Sequence, residues 1–149
     1  MTTIPRSALV LGIAGITPFL WGLATLVLPE FGAAAQQALG GRFVGPYLQL
    51  AYGTVILSFM SGVLWGFATK AEGTLAMVGY SLSVIPALWA FFMIGGGPVS
   101  ATINLIVGFF GLHLLDWQFW RVGLAPEWWI RLRGPLTGVV ILTLIPVVL

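Results

Sequence analysis

Cysteine is absent and charge is scarce. Without cysteine the 149-residue chain can form no disulfide, no iron–sulfur cluster and no thiolate zinc site of its own. A single histidine, His113, rules out bis-histidine ligation of a haem within the chain. Charged side chains make up 7% of the residues, against roughly 25% in soluble domains. No Walker loop, HExxH, GxSxG or carboxylate pair is present. These absences lead to the expectation of a protein that is not an enzyme and that holds no cofactor and no metal. The net charge is only +2. Its arginines lie beside long apolar stretches, so lipid headgroups are expected as anionic neighbours and nucleic acid is not.

Apolar residues fill the space that charge leaves, at 59% of the chain. No soluble domain of this length can hide so much apolar surface in one core. Lipid is therefore the natural solvent, and continuous apolar runs favour helices over a membrane barrel. The runs predict one domain over 1–149 with five spans, at about 7–28, 47–69, 75–94, 99–120 and 134–149. About 20 residues cross a hydrocarbon core as a helix. The first run is too long for a signal-peptide core of about 7–15 residues and is read as a retained span. Pro18 and Pro86 are expected to kink or interrupt their helices. Between the first two spans, residues 33–39 allow one short surface helix. Gly95-Gly96-Gly97-Pro98 reads as a tight hairpin. The last run, of 16 residues, reaches only some 24 Å at about 1.5 Å per residue. Snorkelling of Arg133 or local thinning would cover the shortfall.

The stretch from His113 to Thr137 concentrates polarity. It holds Asp116, Arg121, Glu127, Arg131 and Arg133, with Trp117, Trp120, Trp128 and Trp129. Residues 126–133 predict a two-turn interfacial helix between the fourth and fifth spans, with Pro126 at its first position. Arg121, Arg131 and Arg133, with Trp128 and Trp129, form a candidate site for anionic lipid headgroups. His113 and Asp116 stand three apart, so they can share a helix face as a candidate polar pair. Haem ligation or proton relay is the sharp reading of that pair. The preferred reading is anchoring, with Asp116 paired to Arg121, Arg131 or Arg133. Arg6, Lys70, Arg121, Arg131 and Arg133 would share one side of the membrane and Arg42 the other, which places the N-terminus in the cytoplasm and the C-terminus opposite.

The second span repeats small residues every fourth position, at Thr54, Ser58, Gly62 and Gly66. Such a face lets two backbones approach where lipid offers no hydrophobic drive. Internal packing is the plain reading and contact with another protein the sharper one, with Tyr52 and Trp65 bracketing the contact. Ser100, Asn104, Gly108 and Gly111 repeat the pattern weakly in the fourth span, and Asn104 requires a hydrogen-bond partner.

Four segments carry a resemblance: IPRSALVLGIAG at 4–15, YGTVILSFMSGVLWG at 52–66, SLSVIP at 81–86 and GLAPEWWIRLRGPLT at 123–137. They resemble a family of small bacterial inner-membrane proteins of unknown function, related to a mitochondrial transmembrane protein numbered sixty-nine. Members often carry a polar or basic residue where this chain has Leu64, so no catalytic group is implied there. The resemblance implies an energy-converting membrane, here a bacterial inner membrane, and no active site. Together with the small-residue faces it leads to the expectation of an accessory or assembly subunit of a respiratory or photosynthetic complex. The alternative is a small carrier or channel for a lipid, quinone or metabolite.

Overall fold

A computed structural model describes residues 2–149. All of its regular structure is helical: α1 (Arg6–Val27), α2 (Pro29–Leu39), a 3-10 turn (Gly41–Phe43), α3 (Gly45–Ala68), α4 (Gly73–Ser83), α5 (Ile85–Met93), α6 (Pro98–Arg121) and α7 (Trp129–Val148). With α4 and α5 counted as one broken span, five helices are long and apolar enough to cross a membrane. A helix satisfies its own backbone hydrogen bonds, which lipid cannot do for it. The protein is therefore an all-helical, multi-pass membrane protein.

Prolines set several boundaries. Pro29, Pro46, Pro86 and Pro98 each stand at the first or second position of a helix, where a missing N–H costs nothing. Pro86 splits the third span at Val84. The break leaves the amide of Ala87 to donate to Ser61 Oγ on α3, at 2.8 Å. Helix α1 runs unbroken through Pro18. The end of α6 is a glycine cap: Gly123, at φ +78, lets Leu124 N donate to Phe119 O at 3.0 Å and Gly123 N to Trp120 O at 3.1 Å.

Helix α3 lies at the centre and touches α1, α4, α5, α6 and α7. Its inward residues Leu57, Met60, Leu64 and Ala68 meet Phe19, Leu105, Phe109 and Leu144 in one core. Glycines set the closest approaches. A Cβ at Gly53 would lie 2.6 Å from Leu105, and one at Gly108 would lie 2.8 Å from Leu57 and 2.9 Å from Trp89. At the α1–α3 contact, a Cβ at Gly22 would lie 2.5 Å from Gln49. Gln49 is buried and donates to Phe19 O and Thr143 O, at 3.1 and 3.0 Å, tying α3 to α1 and α7.

The interfacial helix expected over 126–133 is not a separate element. Residues 126–128 form the turn that enters α7, and α7 continues from Trp129 without a break. Gly134-Pro135 suggested a boundary in the sequence, yet Pro135 lies inside α7, and the helix continues past the backbone hydrogen bond that proline cannot make. The fifth helix has 20 residues, about 30 Å at 1.5 Å per residue, so the shortfall expected for it disappears. The surface helix between the first two spans is longer than the 33–39 stretch and starts at Pro29.

One end of the bundle gathers the N-terminal segment, the α3–α4 turn and the α6–α7 connection. Lys70 Nζ donates to Leu124 O at 3.1 Å. Thr2 Oγ1 donates to Glu127 at 3.1 Å, and Arg131 donates to Thr2 O.

Candidate functional site

Two features are built by this packing: a buried polar cluster beside an apolar cleft, and an open face on α3. The polar cluster is made by α6 and α7. Asp116 is 0% exposed. Its Oδ2 accepts from Arg133 Nε at 2.8 Å and its Oδ1 from Trp129 Nε1 at 2.8 Å. Trp129 and Arg133 are four apart on the first turns of α7, so both reach the same carboxylate. Of the arginines considered as partners for Asp116, Arg133 is the one that pairs. The site of pairing is the protein interior and not the open interface. A buried charge requires a partner of this kind, and the indole N–H satisfies the second oxygen.

His113 belongs elsewhere in this geometry. No hydrogen bond joins it to Asp116, and its Nδ1 is buried without a partner among the described residues. It lies near Gly134, where a Cβ would come within 3.9 Å of its ring. No group of three or more His, Asp and Glu side chains that could hold a metal occurs among the described residues.

The cleft has a volume of about 450 Å³. Ala8 to Phe19 of α1 and Ile56 to Phe67 of α3 form its two sides, Leu132 to Val140 of α7 its back, and Trp128 and Trp129 line it as well. Two rim residues, Leu11 and Phe59, are 71% and 65% exposed, so the mouth faces lipid. Arg133 and Thr137 are its buried polar residues, 8% and 5% exposed. Arg133 Nη2 and Thr137 Oγ1 have no hydrogen-bond partner among the described residues. Thr137 does not stand out as a candidate in the sequence. Its signal was present, since Arg133 and Thr137 are four apart, but it requires a helix that continues through Gly134-Pro135.

The expected headgroup residues fall into two groups. Arg121 and Arg131 are exposed at the bundle's end, Arg121 with its guanidinium 5.2 Å from the Trp117 ring centroid. Trp128 and Trp129 are half-buried and stack edge to face at 5.8 Å. Arg133 points inward to Asp116.

On α3, Thr54 is half-buried, and Ser58, Gly62 and Gly66 are exposed. A Cβ at Gly62 or Gly66 would meet nothing within 4 Å among the described residues. Ser58 and Thr54 bond back to their own helix, at 3.0 and 2.8 Å. Tyr52 does not bracket this face. It packs edge-on against Phe19 of α1, with ring centroids 5.4 Å apart, and Trp65 lies against Tyr80 of α4 at 4.7 Å. The weaker pattern on α6 divides: Gly108 is buried and Gly111 is open. Asn104 finds its partner in Met93 O at 2.9 Å and accepts from Trp89 Nε1 through its own carbonyl at 2.7 Å.

Five apolar helices around a buried ion pair, with a cleft open to lipid, define a polytopic membrane protein. Across residues 4–149 the chain matches the model of DUF3429, a family described as proteins of unknown function, and it belongs to that family. It is similar to transmembrane protein 69 of Xenopus tropicalis, with 31% identity over 145 residues, covering 95% of this chain and 53% of that protein. It is also similar to transmembrane protein 69 of Mus musculus, with 26% identity over 133 residues, covering 87% of this chain and 50% of that protein. The chain thus spans about half the length of these curated relatives. No solved structure matches it.

Proposed function

We propose that the protein is a non-catalytic accessory or assembly subunit of a larger respiratory or photosynthetic membrane complex, seated in a bacterial inner membrane with its N-terminus in the cytoplasm. One observation carries this reading. The small-residue face of α3 at Ser58, Gly62 and Gly66 is open, although α3 is the central helix of the bundle. The glycines that serve internal packing are others, Gly22, Gly53 and Gly108 among them. An open glycine face in lipid suits the backbone of another helix. Anionic lipids beside Arg121 and Arg131 complete the proposed set of partners.

The test is Gly62→Leu. The isolated variant is expected to keep the thermal midpoint of the parent in detergent, because the side chain projects into open space. Migration with a larger complex in a mild-detergent native gel is expected to disappear. A variant that still co-migrates, or that loses its own fold, overturns the reading. The cleft favours a second reading, a small carrier or channel for a lipid, quinone or metabolite. Substrate-dependent flux into liposomes holding this chain alone separates it from the first.

A further inference from the structure

We infer that the cleft between α1, α3 and α7 binds one molecule with an apolar tail and a neutral, carbonyl-bearing head, and that Arg133 Nη2 and Thr137 Oγ1 hold the carbonyl oxygen. The inference rests on the cleft itself and stands whether or not the chain docks to a complex or carries its ligand across a membrane.

Four observations lead to it. The volume of about 450 Å³ falls within the roughly 300–1,000 Å³ of small-molecule sites. The walls are apolar and the mouth opens past Leu11 and Phe59 toward lipid, so a tail can enter from the membrane without crossing water. Two buried polar atoms, Arg133 Nη2 and Thr137 Oγ1, lack partners among the described residues, and their residues stand one helical turn apart among the cleft's lining. A buried donor without an acceptor is costly, which makes an incoming acceptor favourable.

Charge decides the class of head. Arg133 is already balanced by Asp116, whose carboxylate lies 2.8 Å from its Nε. A phosphate or carboxylate would bring a second negative charge into an apolar site with no further cation among its described lining residues. A neutral carbonyl accepts from the guanidinium and the hydroxyl and leaves the ion pair intact. Two membrane constituents present this chemistry: the ring carbonyl of an isoprenoid quinone, and the ester carbonyl of an acyl lipid.

Tryptophan fluorescence can read the site, because Trp128 and Trp129 line it. The purified protein is titrated in detergent with decylubiquinone, and in a parallel arm with diacylglycerol brominated in its acyl chains. One arm is expected to give saturable quenching. Saturation by the quinone alone identifies a quinone site, and saturation by the brominated lipid alone identifies an acyl-ester site. Thr137→Val removes the hydroxyl at constant shape and is expected to raise the dissociation constant about fivefold, the worth of one hydrogen bond. The same change is expected to leave thermal stability of the ligand-free protein unchanged or higher, since the hydroxyl has no partner to lose. Gly15→Leu places a side chain in the cleft at a position where a Cβ meets only Tyr52 Oη, at 3.8 Å, and is expected to abolish the saturable phase. Quenching that rises in proportion to probe in the parent, or is the same in parent and Thr137→Val, overturns the inference. If Gly15→Leu does not fold, the Thr137→Val titration still decides between these outcomes.

Discussion

Asp116 and Arg133 show how one contact reassigns a residue. Arg133 has the composition of an interfacial anchor, standing after two tryptophans and before Gly134-Pro135. In the folded chain its Nε is bound to a carboxylate with no exposure of its own. Removing either member leaves the other charged and buried. Arg133→Gln or Asp116→Asn is therefore expected to cost about 3–5 kcal/mol in denaturant unfolding from detergent. Replacing both together, as Asp116→Leu with Arg133→Met, is expected to recover most of that loss, because no lone charge remains. The exposed arginines should behave differently. Arg121→Gln with Arg131→Gln is expected to leave unfolding within about 0.5 kcal/mol and to lower the anionic lipid retained on purification, read by mass spectrometry. Equal destabilisation by the two sets would contradict this division.

Helix α3 shows the same lesson for a whole element. Its sequence offers small residues on more than one side, and a periodic pattern does not say which side meets a neighbour. Gly53 meets Leu105 and its counterpart on α6, Gly108, meets Leu57 and Trp89, while Gly62 meets open space. Gly53→Ala and Gly108→Ala are expected to destabilise the isolated protein by about 1–3 kcal/mol through overpacking. Gly62→Ala is expected to be neutral or to gain up to about 1 kcal/mol from helix propensity. Thermal or denaturant unfolding of the three variants checks the order, and a destabilised Gly62→Ala would place that face inside the bundle.

The whole molecule has a polar asymmetry between its ends. Arg6, Lys70, Arg121 and Arg131 belong to the segments that gather at one end through the Lys70–Leu124 and Thr2–Glu127 bonds, while Arg42 follows α2 on the opposite side. The bias of basic residues orients membrane proteins with their rich side in the cytoplasm. A reporter active only outside the cytoplasm, fused after Leu149, is expected to be active, and the same reporter inserted in the Lys70–Gly73 turn is expected to be silent. The opposite pair of results would invert the proposed orientation.

Much of this architecture is written in local sequence. The five apolar runs, the break at Pro86 and the hairpin at Gly95–Pro98 follow from length, hydropathy and backbone chemistry, because each concerns residues adjacent in the chain. The start of α7 was not legible, since Gly134-Pro135 carries a boundary signal and the helix nevertheless continues through it. Pairing was legible only as a choice: Asp116 needed an arginine, and which arginine depended on how α6 and α7 cross. The cleft was not legible at all. It arises because α1 and α3 touch at Gly22 and Gln49 and leave space between their other halves. Hydropathy sums over residues and fixes what must lie in lipid. The tertiary structure alone decides which apolar faces meet and which leave a gap, because that depends on distances between residues far apart in the chain.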